Sequence, residues 1–461
     1  MGRSARGEFA YQTVYRYLET LIAQAEQGGD TRLPSLRDLA RRLRVSLATV
    51  QSAYSLLERE GRVSTLPRSG YFVRLPSQAT AVLASVSTLG LAGQPFGLAP
   101  LPFGRLERAL LAQERRLARQ APTQPGQARM AGPVQLRSVL AARYTASSSG
   151  YWRAEDVHLA TDVHALLQTL LAGLQLQDST VVVATPCCWR LLKALHQTGM
   201  RVLEVTLDER RGLDLPQLER LFRRESVRLL LLPSCLSTPG GHLLAAHDQH
   251  AVATLLARYP TWLLENDLDS EHCFAKPPAT RLRDRVDPRR LLVLGSLEAV
   301  VGMEAPYAYV LGRQGRLREA FAQRSFVLPP LRQQAVAHLY SRGDIDSHLH
   351  HVRGELAAHM AQLCQEVEVQ LGAQLTFTCP QGGRALWCRL HDPMDVPRAL
   401  AALSGTVLSV VPGEQFSLQG RYQQCLSLAW HGEQLPELRE AVRRLALAFE
   451  PVPQRSGCEI E

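Results

Sequence analysis

The sequence contains almost no lysine. Of the 52 basic residues in a chain of 461, only Lys193 and Lys276 are lysines, so the remaining 50 are arginines. A mechanism that needs the amine of a lysine side chain therefore has only these two positions available. This scarcity bears directly on any hypothesis of covalent amine chemistry.

Two further absences concern cysteine pairs and long apolar runs. The nine cysteines are odd in number and include no CxxC pair, which is typical of reduced thiols and not of a disulfide framework. No run of about 18 uncharged apolar residues occurs, and the N-terminal sequence MGRSARGEFA has no apolar core. These absences predict a cytoplasmic protein without membrane contact. We also predict no metal site.

The positive charge of the chain is concentrated near its start. The formal net charge is +9, and residues 1–76 hold twelve arginines against seven acidic residues, a surplus of +5. A basic surplus favours polyanionic partners. The N-terminal segment is therefore the candidate for contact with phosphate groups.

Three helices and a hairpin are predicted within residues 1–76. Apolar residues at spacings of three and four over residues 9–26 indicate an amphipathic helix, and Ser35 with Asp38 forms a capping motif that opens a second helix. Ser46 is expected to cap a third helix, whose outward face is available to a DNA groove. The stretch VSTLPRSGYFV indicates a two-stranded hairpin. This order is typical of a winged helix-turn-helix.

This segment resembles the GntR family of regulators over residues 11–74. The resemblance rests on short motifs in the family's order: LPS at 33–35, VS and TV within 45–50, AY at 53–54, EG at 60–61 and SGYFV at 69–73. It implies binding of double-stranded DNA by the start of the second helix, the first turns of the third helix and the tip of the wing. Carried onto this chain, it predicts DNA contacts by Arg37, Ser46, Leu47, Thr49, Gln51, Arg68, Ser69 and Gly70.

Leu47 departs from the family's pattern, which has arginine after the valine-serine pair. Leucine cannot donate a hydrogen bond to guanine O6 or N7 but can contact a thymine methyl, so we expect a different target sequence. For Arg41, Arg42 and Arg44, phosphate contact and a solvated face are both open. Tyr54 is expected in the core.

A linker and an α/β region are predicted after the N-terminal 76 residues. Residues 77–103 contain no charged side chain and are rich in Ser, Ala, Gly and Pro, which favours a linker. From residue 104 onward, helical patterns alternate with short apolar runs such as TVVVAT and VRLLLLP, which favours a mostly parallel sheet covered by helices. Strand-like runs from AQLTFTC to CLSLAW predict a small α+β lobe.

The order of these segments resembles the fold-type I aminotransferases and, with the N-terminal segment, the MocR subgroup of GntR regulators. The matching motifs include ATDVHALLQTLLAGL, LPSCLSTPGG, LLENDLDSEHCF and LVLGSLEAVVGMEAPYAYVLG. The resemblance implies an aminotransferase-like region at 104–450, with a large lobe at about 104–325, a small lobe at about 326–450 and a tail at 451–461. It also implies a homodimer.

The resemblance implies a pyridoxal phosphate site as well, but this chain departs from the family at the lysine and at the phosphate clamp. Such enzymes hold the aldehyde on a lysine, pair the pyridinium nitrogen with a carboxylate and clamp the phosphate with amides, hydroxyls and an arginine. Ala299, three residues after Ser296, stands at the lysine position, and Pro306 stands at the arginine position. Asp162 lies in the phosphate-binding turn, where its charge would repel a phosphate dianion.

The positions that would bind the cofactor ring and the substrate carboxylate also differ from the family. Asn266 replaces the aspartate that pairs with the pyridinium, and Leu268 replaces the tyrosine that binds the ring hydroxyl. Cys425 stands at the arginine that binds a substrate carboxylate, with Arg421 four residues away. Asp267 is a poor substitute for the lost carboxylate, because adjacent strand residues point to opposite faces.

The sequence therefore predicts a DNA-binding regulator without enzyme activity and without a bound cofactor. The large region is expected to serve as a dimerisation platform, as a receptor for an unidentified small molecule, or both. If the resemblance holds, the old cofactor cavity is lined by Ser296, Asn266, Asp267, Trp189, Cys188 and His164, for each of which ordinary packing is an equal alternative. Two other hypotheses stay open: a working aminotransferase with a regulatory head, and a regulator that holds pyridoxal phosphate non-covalently.

Overall fold

The computed structural model describes most of the chain. The described residues are 14–22 except 16 and 19, then 33–43, 45–59, 63–66, 70–73, 104–120, 125–148, 150–392 and 396–449. They fall into two compact units, one before residue 95 and one after it. No helix within these ranges is long and apolar enough to cross a membrane.

The N-terminal unit combines helices with a small hairpin. After a helical segment within residues 14–22, its elements are α1 (Leu36–Leu43), α2 (Leu47–Arg59), β1 (Val63–Leu66) and β2 (Gly70–Val73). The two strands pair antiparallel, with Val63 opposite Val73. Apolar side chains from every helix meet in one core: Val14, Leu18, Ile22, Leu39, Val50, Ala53, Tyr54 and Leu57. The expected helical periodicity and the core position of Tyr54 are both present.

Serine side chains cap the starts of α1 and α2. The Ser46 Oγ accepts a hydrogen bond from the Thr49 amide at 3.1 Å, as expected for an N-cap. Before α1, the Ser35 Oγ accepts from the Asp38 amide at 3.2 Å and donates to the Asp38 carboxylate at 2.6 Å. These caps set where α1 and α2 start, and therefore which residues occupy the exposed first turn of α2.

The second unit is built on an eight-stranded sheet. Its strands are β3 (Val157–Ala160), β4 (Thr180–Thr185), β5 (Arg201–Asp208), β6 (Gly212–Leu213), β7 (Val227–Pro233), β8 (Trp262–Asn266), β9 (Leu291–Ser296) and β10 (Ala308–Leu311), in the order β3-β10-β9-β8-β7-β4-β5-β6. The five strands from β9 to β5 run parallel, whereas β10 is antiparallel to both of its neighbours and β6 is antiparallel to β5. The sheet is thus mixed and mainly parallel.

Helices cover this sheet and build the rest of the second unit. They are α3 (Gly104–Gln120), α4 (Pro125–Ala146), α5 (Val163–Gly173), α6 (Trp189–Gln197), α7 (Leu215–Arg224), α8 (Ala246–Leu256), α9 (Glu298–Val301), α10 (Gly315–Arg324), α11 (Pro330–Ser341), α12 (Asp344–Leu371), α13 (Val396–Ala402) and α14 (Leu435–Phe449). Alternate residues of one strand join different apolar clusters, since Val182 packs in one and Val181 and Val183 in the other. Both faces of the sheet are therefore buried, which explains its continuous apolar strands.

A second, smaller sheet lies near the C-terminus. Its strands are β11 (Leu375–Phe377), β12 (Leu386–Leu390), β13 (Leu408–Pro412) and β14 (Cys425–Trp430), all antiparallel in the order β11-β12-β14-β13. Apolar residues of α12 and α14 pack on it. This is the predicted α+β lobe.

Parallel pairing brings the carboxyl ends of the central strands to one edge of the large sheet. Pro233 pairs with Asn266, and Asn266 pairs with Leu294, two residues before the end of β9. In α/β sheets ligands bind at this edge. The loops after β7, β8 and β9 therefore determine what the second unit can bind.

Candidate functional site

The N-terminal unit presents an exposed polar surface on α1 and α2. Arg37 in the first turn of α1 is exposed, as are Leu47 and Gln51 at the start of α2. Leu47 is 46 % exposed and is absent from the apolar core of this unit. An apolar side chain on a helix that enters a groove can contact a thymine methyl, so its exposure fits the expected role.

The remaining predicted DNA contacts differ in their surroundings. The Ser46 and Thr49 hydroxyls lie 2.7 Å apart and bond to each other, so part of their hydrogen-bonding capacity is used within the helix cap. Gly70 begins β2. Arg68, Ser69 and Arg44 lie outside the described residues.

Two of the arginines with open roles have neighbours within the unit. Arg41 lies 3.6 Å from the carboxylate of Asp38, with both side chains largely exposed. The guanidinium of Arg42 lies 5.6 Å from the centre of the Tyr17 ring. Exposed contacts of this kind contribute little to stability, so neither neighbour prevents these arginines from binding phosphate.

In the second unit, the position aligned with the Schiff-base lysine lies in a short helix. Ala299 belongs to α9, directly after β9, and its carbonyl oxygen lies 2.9 Å from His272 Nε2. Both lysines are exposed and lie on other elements: Lys193 on α6, with its ammonium 5.6 Å from the Trp189 ring, and Lys276 in the loop after Cys273. Neither occupies the position after β9.

At the N-terminus of α5, where a cofactor phosphate is expected, the Asp162 carboxylate already accepts hydrogen bonds. Asp162 caps α5, its Oδ1 accepting from the Ala165 amide at 2.8 Å and its Oδ2 accepting from the Thr161 hydroxyl at 2.8 Å. The amides at a helix N-terminus are the groups that a phosphate would use. Pro306, ahead of β10, offers no guanidinium to replace the lost clamp. These residues do not fit a phosphate dianion.

At the end of β8, where a carboxylate would pair with the pyridinium nitrogen, the chain has Asn266, and the nearby Asp269 already has partners. The Asn266 Oδ1 accepts from the Leu268 amide at 3.2 Å, and Leu268 packs against the apolar cluster under the sheet. Asp269 bonds to the Thr238 hydroxyl at 2.7 Å. Burial acts to raise the pKa of Asp269, but His272, Arg384 and the Thr238 hydroxyl together outweigh it, and the pKa falls to about 2. Its charge is therefore balanced by groups of the chain itself.

Asp267 faces a different set of partners from Asn266. Its two oxygens accept from Arg281 at 2.8 Å and from the Tyr144 hydroxyl at 2.7 Å, and Arg283 lies 3.0 Å away. Burial alone would raise the pKa of Asp267, but the two guanidiniums hold it well below its usual value. This carboxylate is therefore already bound by three side chains of the chain itself.

The same buried network contains a second acid. Glu265 lies 2.8 Å from Arg283, and both side chains are almost fully buried. Burial raises the pKa of Glu265 to about 7 against the opposing effect of Arg283. Sequence reasoning missed Arg281 and Arg283. The sequence carries no local signal for these contacts, because they depend on how two separate loops meet in the fold.

The two residues considered for binding a substrate carboxylate, Cys425 and Arg421, both contact other parts of the chain. Cys425 is buried beside Trp387 and Phe416. Arg421 lies 3.6 Å from the carboxylate of Glu204, which also accepts from the Ser417 hydroxyl at 2.7 Å. This arginine therefore connects a loop of the small lobe to β5.

The other residues assigned to the old cavity lie around α5 and α6. His164 is half-buried in the first turn of α5, and Trp189 begins α6. Burial raises the pKa of the Cys188 thiol, and the nearby Asp269 adds to that effect. Ser296 ends β9 and accepts from the Glu298 amide at 3.1 Å, so it serves the start of α9.

Comparison with known proteins assigns each unit separately. Residues 10–73 match the family described as bacterial regulatory proteins, gntR family. The chain is 25 % identical to the uncharacterized HTH-type transcriptional regulator YjiR of Escherichia coli, over 94 % of this chain and 99 % of that one. It is 23 % identical to the probable rhizopine catabolism regulatory protein MocR of Rhizobium meliloti, over 95 % and 93 %.

Solved structures give the fold of the second unit. LysN, an alpha-aminoadipate aminotransferase from Thermus thermophilus, covers 77 % of this chain and 90 % of its own with a TM-score of 0.64 and 23 % identity. The chain therefore carries a GntR-family helix-turn-helix domain followed by a region with the fold of fold-type I aminotransferases. Its relatives over the full length are regulators of the MocR and YjiR type.

The raised pKa of Glu265 predicts a specific pH dependence of stability. A group whose pKa is higher in the folded state stabilises the fold fully below its unfolded value, 4.5, and loses that effect as the pH rises through about 7. Relative to Glu265→Gln, which cannot titrate, the wild type should lose about 3 kcal/mol of unfolding free energy over this interval.

Urea titrations of both proteins at several pH values measure this difference. Glu440→Gln is the matched control, because Glu440 lies on the solvent side of α14 and bonds to Arg443 and Arg444 on its own helix. The interpretation of the buried network is wrong if wild type and Glu265→Gln show parallel pH profiles.

Proposed function

We propose that this chain is a sequence-specific, cytoplasmic DNA-binding transcription regulator whose aminotransferase-like unit serves dimerisation and effector sensing, without transaminase chemistry. The observation that carries the proposal is the exposed start of α2. Ser46 fixes where this helix begins, and Leu47 and Gln51 follow on its exposed side within the GntR-family match. Helices of this kind read base edges with their N-terminal residues.

The names of the full-length relatives support regulation as the function. YjiR and MocR align over nearly the whole of this chain and of their own length, and both are named as regulators. A match to aminotransferases over the second unit alone would have favoured an enzyme. Because these regulators align with both units of the chain, the proposal treats the two units as parts of one regulatory protein.

The absence of transaminase chemistry is supported by the fit of the residues at the carboxyl edge. An internal imine needs a deprotonated amine beside the aldehyde, and the Ala299 methyl offers no nucleophile. The phosphate end carries the Asp162 carboxylate, and the pyridinium end carries the neutral Asn266 amide. These three aligned positions thus carry groups that differ from those by which the family holds pyridoxal phosphate, which supports the proposal.

Dimerisation through the second unit is the next part of the proposal. Closed two-fold pairing is the commonest assembly of soluble proteins, and a dimer would present two DNA-binding units to a repeated or palindromic site. Several large apolar side chains of the second unit are exposed and available to a second copy: Val134, Tyr151 and Met303.

Effector sensing is supported by a small cavity at the carboxyl ends of β4 and β5. It has a volume of about 160 Å³ and is bounded by Pro186, Asp208, His242, Asp248 and Trp387 among others. Burial lowers the pKa of His242, so this ring is neutral at physiological pH and can both donate and accept hydrogen bonds. A small polar molecule suits these walls.

The first test concerns DNA. Selection of genomic fragments on the full chain should enrich a common sequence, and Arg37→Ala or Gln51→Ala should weaken binding to it, measured by fluorescence anisotropy. Arg68→Ala should also weaken binding and reduce the salt slope by about 1 if the wing contacts one phosphate. Arg443→Ala, on the exposed face of α14, is the control. Equal affinity of all four variants would contradict the assignment of this surface.

The second test concerns assembly. We expect the full chain to sediment as a dimer at micromolar concentration, since the aminotransferase fold commonly pairs two-fold. Sedimentation equilibrium measures the mass directly against the 51.1 kDa of one chain. A monomer throughout this range would remove dimerisation from the proposal.

The third test concerns the cofactor. After borohydride reduction in excess pyridoxal phosphate, mass spectrometry should find no site-specific adduct on Lys193 or Lys276. Ala299→Lys alone should also lack an imine absorbance, because the phosphate and pyridinium ends remain unsuited and orientation supplies much of the reactivity. Selective labelling of one wild-type lysine, lost on unfolding, would favour a cofactor-dependent regulator or enzyme.

A further inference from the structure

A groove opens at the amino edge of the large sheet, opposite the edge that carries Asn266 and Ser296. It lies where β8 and β9 begin, between the end of α8 and the segment at 285–290, and its volume is about 470 Å³. Its apolar floor includes Ala253, Leu256 and Val286. The groove is therefore separate from every position discussed for the cofactor.

Three arginines line this groove from both sides. Arg258 comes from the segment before β8, and Arg285 and Arg290 come from the segment before β9. All three side chains are exposed. The one acid of the lining, Asp287, accepts a hydrogen bond from the Arg289 amide at 2.9 Å. Three positive charges thus face one negative charge that already has a backbone donor.

None of the described carboxylates lies within ion-pair distance of these three arginines. The guanidinium of Arg258 lies 5.8 Å from the Tyr259 ring, and Arg290 Nη1 makes a long bond of 3.5 Å to the Tyr259 carbonyl oxygen. Elsewhere in the unit, arginines such as Arg332 and Arg353 pair with carboxylates at 2.7 and 2.6 Å. Like charges that converge without counter-charges attract an external anion.

The shape of the groove favours an extended anion over a small enclosed one. A site for a small anion surrounds it with buried donors, whereas the three guanidiniums here are exposed at the rim. The positive surface also continues past the groove. Exposed Arg228 precedes Leu229, which pairs with Trp262, so Arg228 lies beside Thr261 of the groove wall.

We propose that this groove binds the phosphate backbone of double-stranded DNA outside the sequence read by the N-terminal unit. The proposal rests on the proposed function, because a chain that binds an operator also meets its flanking DNA. Guanidinium groups bind phosphate through two parallel hydrogen bonds and carry no sequence information in doing so. The groove therefore adds affinity and salt dependence, and it leaves specificity to α2.

The test compares two duplexes on the full chain: the selected operator alone, and the same operator with long random flanks. The wild type should bind the long duplex more tightly and with a steeper salt dependence. Three phosphate contacts add a slope of about 2.7, so the long duplex should lose about 40-fold more affinity than the short one between 50 and 200 mM salt. The triple variant Arg258→Gln, Arg285→Gln, Arg290→Gln should lose this difference and keep short-duplex affinity.

The matched control removes the same charge elsewhere. Arg342, Arg443 and Arg444 are exposed and each pairs with a carboxylate, so their triple replacement by glutamine should keep the long-duplex advantage. The proposal is overturned if the wild type shows no such advantage, if the groove variant keeps it, or if the control loses it equally. A polyglutamate peptide tests the other possible occupant. If the groove variant loses binding of this peptide but still binds the long duplex more tightly than the short one, the groove serves an acidic protein surface and the proposal is overturned. Failure of the wild type to bind the short duplex would instead contradict the proposed function.

Discussion

The ion pair between Asp267 and its two buried arginines organises the carboxyl edge of the large sheet. Arg281 and Arg283 lie 14 and 16 residues beyond Asp267 in the chain and return to it, so one carboxylate joins β8 to the segment before β9. The Tyr144 hydroxyl brings α4 to the same carboxylate. Removing one partner of such a buried pair typically lowers the free energy of unfolding by several kcal/mol, because the remaining charge is buried without water or a counter-charge. The edge where a cofactor would sit is thus held together by the chain's own charges.

Under the proposed function, this arrangement lets the aminotransferase fold persist without a cofactor. Asp162 caps α5, and Arg421 lies 3.6 Å from the carboxylate of Glu204. These two charged side chains already have partners within the chain, so under the proposed function neither needs a ligand. A stable unit of this kind can serve as a scaffold for assembly and for other ligands, which is what the proposed function asks of it.

Much of the fold was accessible from the sequence, because its signals are local. Runs such as TVVVAT and VRLLLLP predicted buried parallel strands, and Ser46 predicted the start of α2, since caps and periodicity act within a few residues. The partners of Asp267 could not be predicted, because the contact with Arg283 depends on how two loops meet in space. The arginine groove was missed for the same reason: its residues are about 30 positions apart and converge only when β8 and β9 align.

The central claim is that the chain regulates through DNA binding while its second unit works without pyridoxal phosphate. Its most direct test is the affinity of the full chain for the selected operator, measured without cofactor and again with excess pyridoxal phosphate and an amino acid, with the absorbance recorded in the same samples. We predict the same Kd in both conditions and no imine band. A Kd that changes together with the appearance of an imine band would contradict the account.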